Sequence, residues 1–319
     1  MYVHLINWKW KHITEKPGIN HYKGKAIEYD AILPEEVRKD SPLIYPPILK
    51  DLKEHKKQFD FKFHAHFNHM ASSQAANVNL FLPILLSPKV NEILRKQKPD
   101  FKRLATDKLY KGFRIEFWDG NSSQEKGLLG DHNSSTGTDS DMAIAYYNHE
   151  EELCLWLIEH KLTEAEFTTC GGAKSKGRKT HHSCDMSFKD ILKNKDTCYY
   201  HSANHYQYWN LTEKHQKFFA NANEGHVCLF KKGMNQLWRN QLLALELEDS
   251  GEYKDVFFSV VHHPDNDDLD ESLKEYKELI ADNRKFSVFT SKELVESSQK
   301  NGDRVLYEWV DWYKNLYNI

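Results

Sequence analysis

The residues that decide the fold are 138–164, which read TDSDMAIAYYNHEEELCLWLIEHKLTE. Two apolar runs, residues 142–147 and 153–162, stand on either side of a polar link at residues 148–152. Because apolar residues fill both faces of each run, we expect two strands that lie inside a central sheet rather than at its edge. The short polar link between them predicts a β-hairpin.

Three ionisable side chains lie in this apolar setting, namely Asp141, Glu159 and Lys161. Side chains alternate along a strand, so Glu159 and Lys161 share one face of the sheet and His160 points to the other. A five-residue loop at 148–152 places Asp141 opposite Glu159, with Cβ atoms roughly 5 Å apart. A loop that is one residue shorter would turn Asp141 to the wrong face.

Two facing carboxylates in a low-dielectric site repel each other and are costly to bury. A divalent cation removes that cost, and Mg²⁺ prefers oxygen ligands while it keeps several waters and binds substrate phosphate. A lysine two residues beyond the second acid can orient an attacking water or stabilise charge on a phosphoryl oxygen. The pattern therefore predicts metal-assisted phosphoryl chemistry. The alternative is a structural ion pair at a strand end.

The order Asp141, then Glu159-His160-Lys161, resembles the PD-(D/E)XK nuclease superfamily, which has the restriction-endonuclease-like fold. SSQAANVNLF at residues 72–81 and IEHKLTE at 158–164 look like a bacterial family of restriction endonucleases, and the resemblance extends over most of the chain from about residue 60. Ser140 departs from the motif, which often has proline there. The resemblance implies that Asp141, Glu159 and the backbone carbonyl of His160 hold Mg²⁺ or Mn²⁺, while Lys161 acts on the attacking water.

Composition limits the partners and the location. The net charge of −3 gives no general attraction to nucleic acid, so a DNA-binding surface must be a local patch. No sustained apolar stretch suggests a signal segment or a membrane span, which predicts a cytoplasmic protein without a membrane partner. Five cysteines, an odd number, do not suggest a disulfide framework.

The predicted fold class is α/β: a restriction-endonuclease-like core with a central mixed β-sheet flanked by helices, preceded by an N-terminal extension. We place the extension at residues 1–58 and the nuclease-like domain at residues 59–319. FKFHAHF at 61–67 alternates like a strand, and so does FRIEFW at 113–118, with Phe113, Ile115 and Phe117 on one face. Strands and helices alternate after the hairpin, which is typical of an α/β core.

Several further polar residues are candidates for supporting the site. Glu116 precedes the hairpin, Glu164 follows it, and Gln74 lies in the stretch that resembles the nuclease family. Three others fall on the polar face of a predicted helix at i, i+3 and i+4, which aims them in one direction: Gln236, Arg239 and Asn240. The alternative for each is an ordinary backbone hydrogen bond or a surface ion pair.

The most basic stretch of the chain is glycine-rich and follows the hairpin. Its cations suit a loop that contacts DNA phosphates: Lys174, Lys176, Arg178 and Lys179. The alternative is a solvated loop.

Cysteines cluster in the second half of the chain. Cys198 and His201 have a C-x₂-H spacing, and a structural Zn²⁺ site could use three cysteines with His201 or a fourth cysteine. The candidate ligands are Cys170, Cys184, Cys198, His201 and Cys228. No CxxC pair is present to support this interpretation.

The sequence thus predicts a metal-dependent endonuclease that hydrolyses phosphodiester bonds of double-stranded DNA, most simply a restriction or defence enzyme. Because duplex cleavage requires two cuts, we expect a homodimer. Three alternatives stay open: a non-catalytic nucleic-acid-binding module of the same fold, a nuclease acting on RNA or single strands, and a zinc-stabilised interaction protein.

Overall fold

The computed structural model describes residues 1–59, 61–119, 125–133, 137–171, 185–222, 225–228 and 233–319, with the backbone alone at Asn283. Within these residues the strands are β1 Gly18–Tyr22, β2 Lys25–Tyr29, β3 Arg103–Leu104, β4 Phe113–Phe117, β5 Ser140–Tyr147, β6 Leu153–Lys161, β7 Asp255–His262 and β8 Phe286–Thr290. The α-helices are α1 Tyr2–His12, α2 Glu35–Arg38, α3 Leu49–Phe59, α4 Ser73–Leu85, α5 Val90–Leu94, α6 Phe188–Lys193, α7 Tyr199–Ser202, α8 Tyr208–Lys214, α9 Asn235–Asp249, α10 Asp270–Leu279, α11 Ser291–Asn301 and α12 Arg304–Tyr317. Short 3₁₀ helices occur at Pro46–Ile48, Lys195–Thr197, Asp267–Leu269 and Asn283–Lys285.

In the described part of the chain, six strands form the central sheet, while β1 and β2 form a separate two-stranded ribbon. Strands β3 and β4 both pair with β5, which pairs with β6 along its other edge, and all of these pairings are antiparallel. Strands β6, β7 and β8 then follow in parallel. The sheet is mixed and helices cover it, so the predicted α/β fold class is confirmed.

The β5–β6 hairpin has the register that the sequence predicts. Tyr147 pairs with Leu153, and the pairing continues to Met142 opposite Ile158. The Asn148 side chain accepts the backbone N–H groups of Glu150 at 3.0 Å and Glu152 at 2.8 Å. Asparagine side chains commonly close turns in this way. This closure fixes the five-residue loop, and the loop in turn fixes the register.

Helix α4 covers one face of the sheet and begins where Ser72 accepts the backbone N–H of Ala75 at 3.2 Å. Its Asn79 side chain accepts the N–H of Tyr45 at 2.9 Å and donates to the Tyr317 hydroxyl at 2.9 Å. Residues from both ends of the chain pack in this same apolar cluster, including Leu5, Trp8, Ile44 and Trp309. The first 58 residues therefore contribute to the core on this face.

Helix α9 covers the opposite face. Trp238 of α9 contacts Trp209 of α8 edge-on, with ring centroids 4.9 Å apart. Its indole N–H donates to the Thr212 hydroxyl at 2.9 Å. Leu155 and Leu157 of β6 belong to this second cluster, whereas the alternate residues of β6 face the first. The hairpin strands are therefore buried on both faces, as their composition predicts.

Two local predictions are wrong. Residues 61–64 are irregular and residues 65–68 form a turn, so no strand is present; Phe63 stacks on Phe67 at 4.2 Å and the Phe67 N–H donates to the His64 carbonyl. In β4, Phe113 and Ile115 face the first cluster but Phe117 faces the second. The alternation breaks at Glu116, whose φ of +50° is rare for a residue other than glycine.

No helix among the described residues is long and apolar enough to span a membrane.

Candidate active site at the end of the central hairpin

Glu159 lies near the end of β6 and is 1% exposed. Its Oε1 accepts hydrogen bonds from Lys161 Nζ at 2.6 Å and Gln236 Nε2 at 2.7 Å. Its Oε2 accepts from Asn240 Nδ2 at 2.7 Å. Gln236 and Asn240 lie one turn apart on α9, so the helix holds both carboxylate oxygens from one side. This carboxylate is fixed in position before any ligand binds.

Lys161 shares the face of Glu159, as strand alternation predicts, and is 5% exposed. Its ammonium also donates to Gln236 Oε1 at 3.0 Å. Burial lowers the pKa of Lys161, but the carboxylates of Glu159, Glu164 and Asp141 more than reverse this effect, so the pKa is raised. Lys161 is therefore a cation and a hydrogen-bond donor at neutral pH.

Asp141 faces the same site from β5. Its Oδ2 accepts the backbone N–H of His160 at 2.7 Å. Its own carbonyl accepts from the Asn77 side chain at 2.9 Å. Burial, then the charges of Glu159 and Glu116, raise the pKa of Asp141 well above its ordinary range. The site thus gathers negative charge that one lysine does not neutralise.

Glu116 is the third acid of this region, and Gln74 Nε2 donates to it at 2.8 Å. Burial raises its pKa to about 8, with smaller contributions from Asp139 and Glu159. Its left-handed backbone conformation is the kind of strain that folded proteins tolerate mainly at functional positions. Asp139, two residues before Asp141, lies nearby but pairs with His132 Nε2 at 3.1 Å.

The donor set fits a divalent cation bound by Asp141 and Glu159. Asp141 Oδ1 accepts no hydrogen bond from any described residue, and Glu159 Oε2 accepts one. A carboxylate has about four lone-pair positions, so both side chains keep acceptor capacity. Across the described residues, the one group of three ligand atoms within 4.8 Å of each other is His215, Glu246 and Asp249. Glu116 therefore does not complete a three-acid cluster here.

The remaining supporting candidates divide into two groups. Gln236, Asn240 and Gln74 reach the acids, and Glu164 lies close enough to Lys161 for mutual attraction to affect both pKa values. Arg239 points elsewhere and interacts with Tyr208 and Asp131. The shared polar face of α9 predicted a common direction, but Arg239 is longer than its neighbours and reaches a separate hydroxyl–carboxylate network.

The predicted DNA-contacting residues Lys174, Lys176, Arg178 and Lys179 lie outside the described residues, as does Cys184. Cys170, Cys198, His201 and Cys228 are described, and no three of them bring ligand atoms within 4.8 Å of each other. His201 lies 3.7 Å from the Asp196 carboxylate instead. The DNA-contacting loop and the structural zinc site both stay predictions.

Ser140 has a role that the sequence did not reveal. Its Oγ accepts the backbone N–H of Ile158 at 3.0 Å and lies 3.0 Å from the Ile158 carbonyl. Beyond Met142 the backbone pairing of the hairpin ends, and the side chains of Ser140 and Asp141 contact the β6 backbone instead. A serine before the motif acid is a weak signal, since its partner lies across the hairpin.

The fold and this arrangement together define a restriction-endonuclease-like α/β protein, in which two acids and a lysine meet at the end of a buried hairpin. A sequence model of the family described as restriction endonuclease associating with ARP matches residues 9–318, so the chain belongs to that family. The predicted resemblance to restriction endonucleases is confirmed at this level. No curated protein matches the chain, and no solved structure matches it.

Proposed function

We propose that the chain is a metal-dependent endonuclease of the PD-(D/E)XK superfamily that cleaves double-stranded DNA in restriction or defence. The observation that carries this proposal is the fixed Glu159 carboxylate, which Lys161, Gln236 and Asn240 hold opposite Asp141. A buried acid held by three donors beside a second acid with spare acceptor capacity is a costly arrangement for stability alone. Family membership supports the nuclease class and a DNA substrate.

Asp141, Glu159 and the His160 carbonyl are the groups that would hold Mg²⁺ or Mn²⁺. Such an ion, when bound, supplies charge neutralisation at the phosphoryl group and lowers the pKa of its bound water. Glu159 acts as a rigid ligand because its other hydrogen bonds are already made. Asp141 contributes the oxygen that is not bonded to the His160 N–H.

Lys161 acts as a donor rather than a general base. The surrounding carboxylates raise its pKa, so its ammonium keeps its protons near neutral pH. From this position it hydrogen-bonds the attacking water or stabilises charge that develops on a phosphoryl oxygen. Its bonds to Glu159 at 2.6 Å and to Gln236 at 3.0 Å leave one ammonium proton and fix the direction in which that proton points.

Plasmid cleavage tests this proposal. Supercoiled DNA is incubated with the wild-type chain and Mg²⁺, Mn²⁺ or EDTA, and nicked and linear products are quantified. We expect metal-dependent cleavage that falls on the order of 10²-fold or more in Asp141→Asn and Lys161→Met. Lys102→Met and Glu151→Gln are matched controls. These residues form an exposed ion pair at the opposite end of the same hairpin, so the two changes should leave the rate unaltered.

The outcomes separate the alternatives. Cleavage that survives in both site variants would show that other residues carry the chemistry. Metal-dependent cleavage of RNA or single strands, with duplex DNA untouched, would support the RNA or single-strand nuclease. Binding of DNA without turnover, unchanged by Asp141→Asn, would support the non-catalytic module. A homodimer is part of the proposal, and direct conversion of supercoiled to linear DNA within one binding event would support it.

A further inference from the structure

A cavity of about 390 Å³ lies between the end of β4 and the end of α9. Its volume falls within the roughly 300–1,000 Å³ range of small-molecule pockets. Arg114 and Phe117, two residues of β4, both line it. The other residues used below that line the cavity are Phe59, Trp118, Asp119, Glu252 and Tyr253.

Arg114 is the unusual group in this cavity. It is 9% exposed, and its Nε is buried without a hydrogen-bond partner. Among the described residues it forms no ion pair, although Asp139 and Asp119 are near enough to attract it. Its guanidinium carbon lies 4.7 Å from the ring centre of Phe59 and 5.5 Å from that of Phe117. A buried polar nitrogen usually has a hydrogen-bond partner, so the unpaired Nε of an arginine that lines a cavity indicates a missing acceptor.

Further aromatic rings line the cavity. Trp118 lines the cavity and stacks on His132, with ring centroids 3.8 Å apart and planes 14° from parallel. His132 is held by Asp139 at 3.1 Å, so the indole is fixed in orientation. Tyr253 and Phe59 contribute further rings to the lining. Flat apolar walls of this kind suit a planar aromatic ligand.

Two carboxylates line the same cavity and select among ligands. Asp119 and Glu252 would repel a phosphate, so a phosphate alone is a poor match for Arg114. A neutral ring with acceptors on one edge and donors on another fits both charges. Guanine has this pattern: O6 and N7 accept from arginine, and its N2 amino group donates.

We propose that this cavity binds a single unpaired guanine base. The base would stack on the aromatic walls, accept hydrogen bonds from Arg114 and donate toward Asp119 or Glu252. The inference rests on the proposed function for the source of the base, which would be an extruded guanine of the nucleic acid. Removing a base from a duplex has a free-energy cost, and stacking on aromatic side chains offsets part of it. The base would then be held next to the strand that carries Glu116.

Saturation-transfer NMR on the full chain tests the proposal in EDTA, where cleavage plays no part. The probes are guanosine, adenosine and inorganic phosphate. We expect the wild-type chain to bind guanosine, and Arg114→Met to weaken this binding by about tenfold or more, as loss of an arginine–guanine pair does. Trp118→Ala should weaken it by about fivefold or more through lost stacking.

Arg103→Met is the matched control, because the Arg103 guanidinium also lies over an aromatic ring, 3.9 Å from the centre of Tyr147, but outside the cavity. It should bind guanosine as the wild type does. Melting temperatures check folding. Arg114→Met should melt no lower than the wild type, since it removes a buried charge that has no partner.

Several results would overturn the proposal. They are the absence of guanosine binding by the wild type, equal binding by Arg114→Met, equal affinity for adenosine, and displacement of guanosine by inorganic phosphate. This test is separable from the nuclease test. Active nuclease with no guanosine binding removes the cavity assignment alone, whereas guanosine binding by an inactive chain leaves the cavity assignment standing and removes the nuclease proposal.

Discussion

Replacing Glu116 with glutamine should stabilise the metal-free protein. Glu116 lies close to Glu159 and Asp139, and burial with these charges raises its pKa from 4.5 to about 8. Between these two values the folded state binds more protons than the unfolded state, so stability falls as pH rises through this window. Glutamine has nearly the same shape, can still accept the hydrogen bond from Gln74, and carries no charge. The variant should therefore not lose stability as the pH rises through this window.

The size of the effect follows from the shift in pKa. One pKa unit corresponds to about 1.36 kcal/mol, so the full window from 4.5 to about 8 sets an upper limit of roughly 5 kcal/mol. Glu116 is partly exposed, and solvent reduces the effect, so we expect roughly 2–5 kcal/mol at pH 8. At about 2 °C per kcal/mol for a chain of this size, the melting temperature should rise by roughly 4–10 °C.

Thermal unfolding in EDTA at pH 5, 6, 7 and 8 measures this effect. The difference in melting temperature between Glu116→Gln and the wild type should be small at pH 5 and increase steadily to pH 8. Addition of Mg²⁺ should narrow it, since a bound cation offsets the repulsion. Glu151→Gln is the control: hydrogen bonds from Lys102 and Arg103 lower the pKa of Glu151, so loss of the Glu151 charge should not stabilise the protein. A gap that is constant with pH, or a less stable Glu116→Gln, would refute the reasoning.

Three further predictions concern stability. Lys161→Met should destabilise the protein by roughly 3–5 kcal/mol because it leaves the Glu159 carboxylate buried without its cation. In urea unfolding, adding Glu159→Gln to this variant should recover most of the lost stability. A double variant as unstable as Lys161→Met alone would contradict the pairing. Burial, followed by two nearby cations, lowers the pKa of His55 from 6.5 to about 4. The unfolded state therefore binds more protons in that window, so stability should fall by up to roughly 3 kcal/mol as pH drops through it. His55→Gln should flatten this slope, and an unchanged slope would count against it. Thr290→Ala should lower the free energy of unfolding by about 1 kcal/mol, because Thr290 and Glu293 form a capping box at the start of α11. No measurable change in urea unfolding would show that this cap contributes little.

The hairpin could be predicted from sequence because its determinants are local. The apolar runs, the five-residue link and the alternation of side chains fix the register and place Glu159 and Lys161 on one face. Gln236 and Asn240 were also accessible, since helical spacing alone brings them together. Neither inference needs knowledge of distant packing.

The rest depends on contacts between distant parts of the chain. The left-handed conformation of Glu116 turns Phe117 to the opposite face. No pattern in the sequence predicts such a break in the alternation of side chains. The ribbon of β1 and β2 has mostly exposed side chains, so no buried face marks it in the sequence. Arg114 looked like an ordinary strand residue, because its lack of a partner is visible only when its whole surroundings are known.

The bond from the His160 N–H to Asp141 gives the two oxygens of one carboxylate separate tasks. Oδ2 accepts a hydrogen bond from the β6 backbone where the backbone pairing of the two strands has ended, while Oδ1 has no hydrogen-bond partner among the described residues. An asparagine at this position can still accept the hydrogen bond from the His160 N–H, whereas an alanine removes both this hydrogen bond and the charge. Loss of activity in Asp141→Ala could therefore come from separation of the strand ends as well as from loss of the catalytic carboxylate. Only the amide isolates the charge, and the difference between the two variants measures how much of the site's geometry is maintained by the sheet itself.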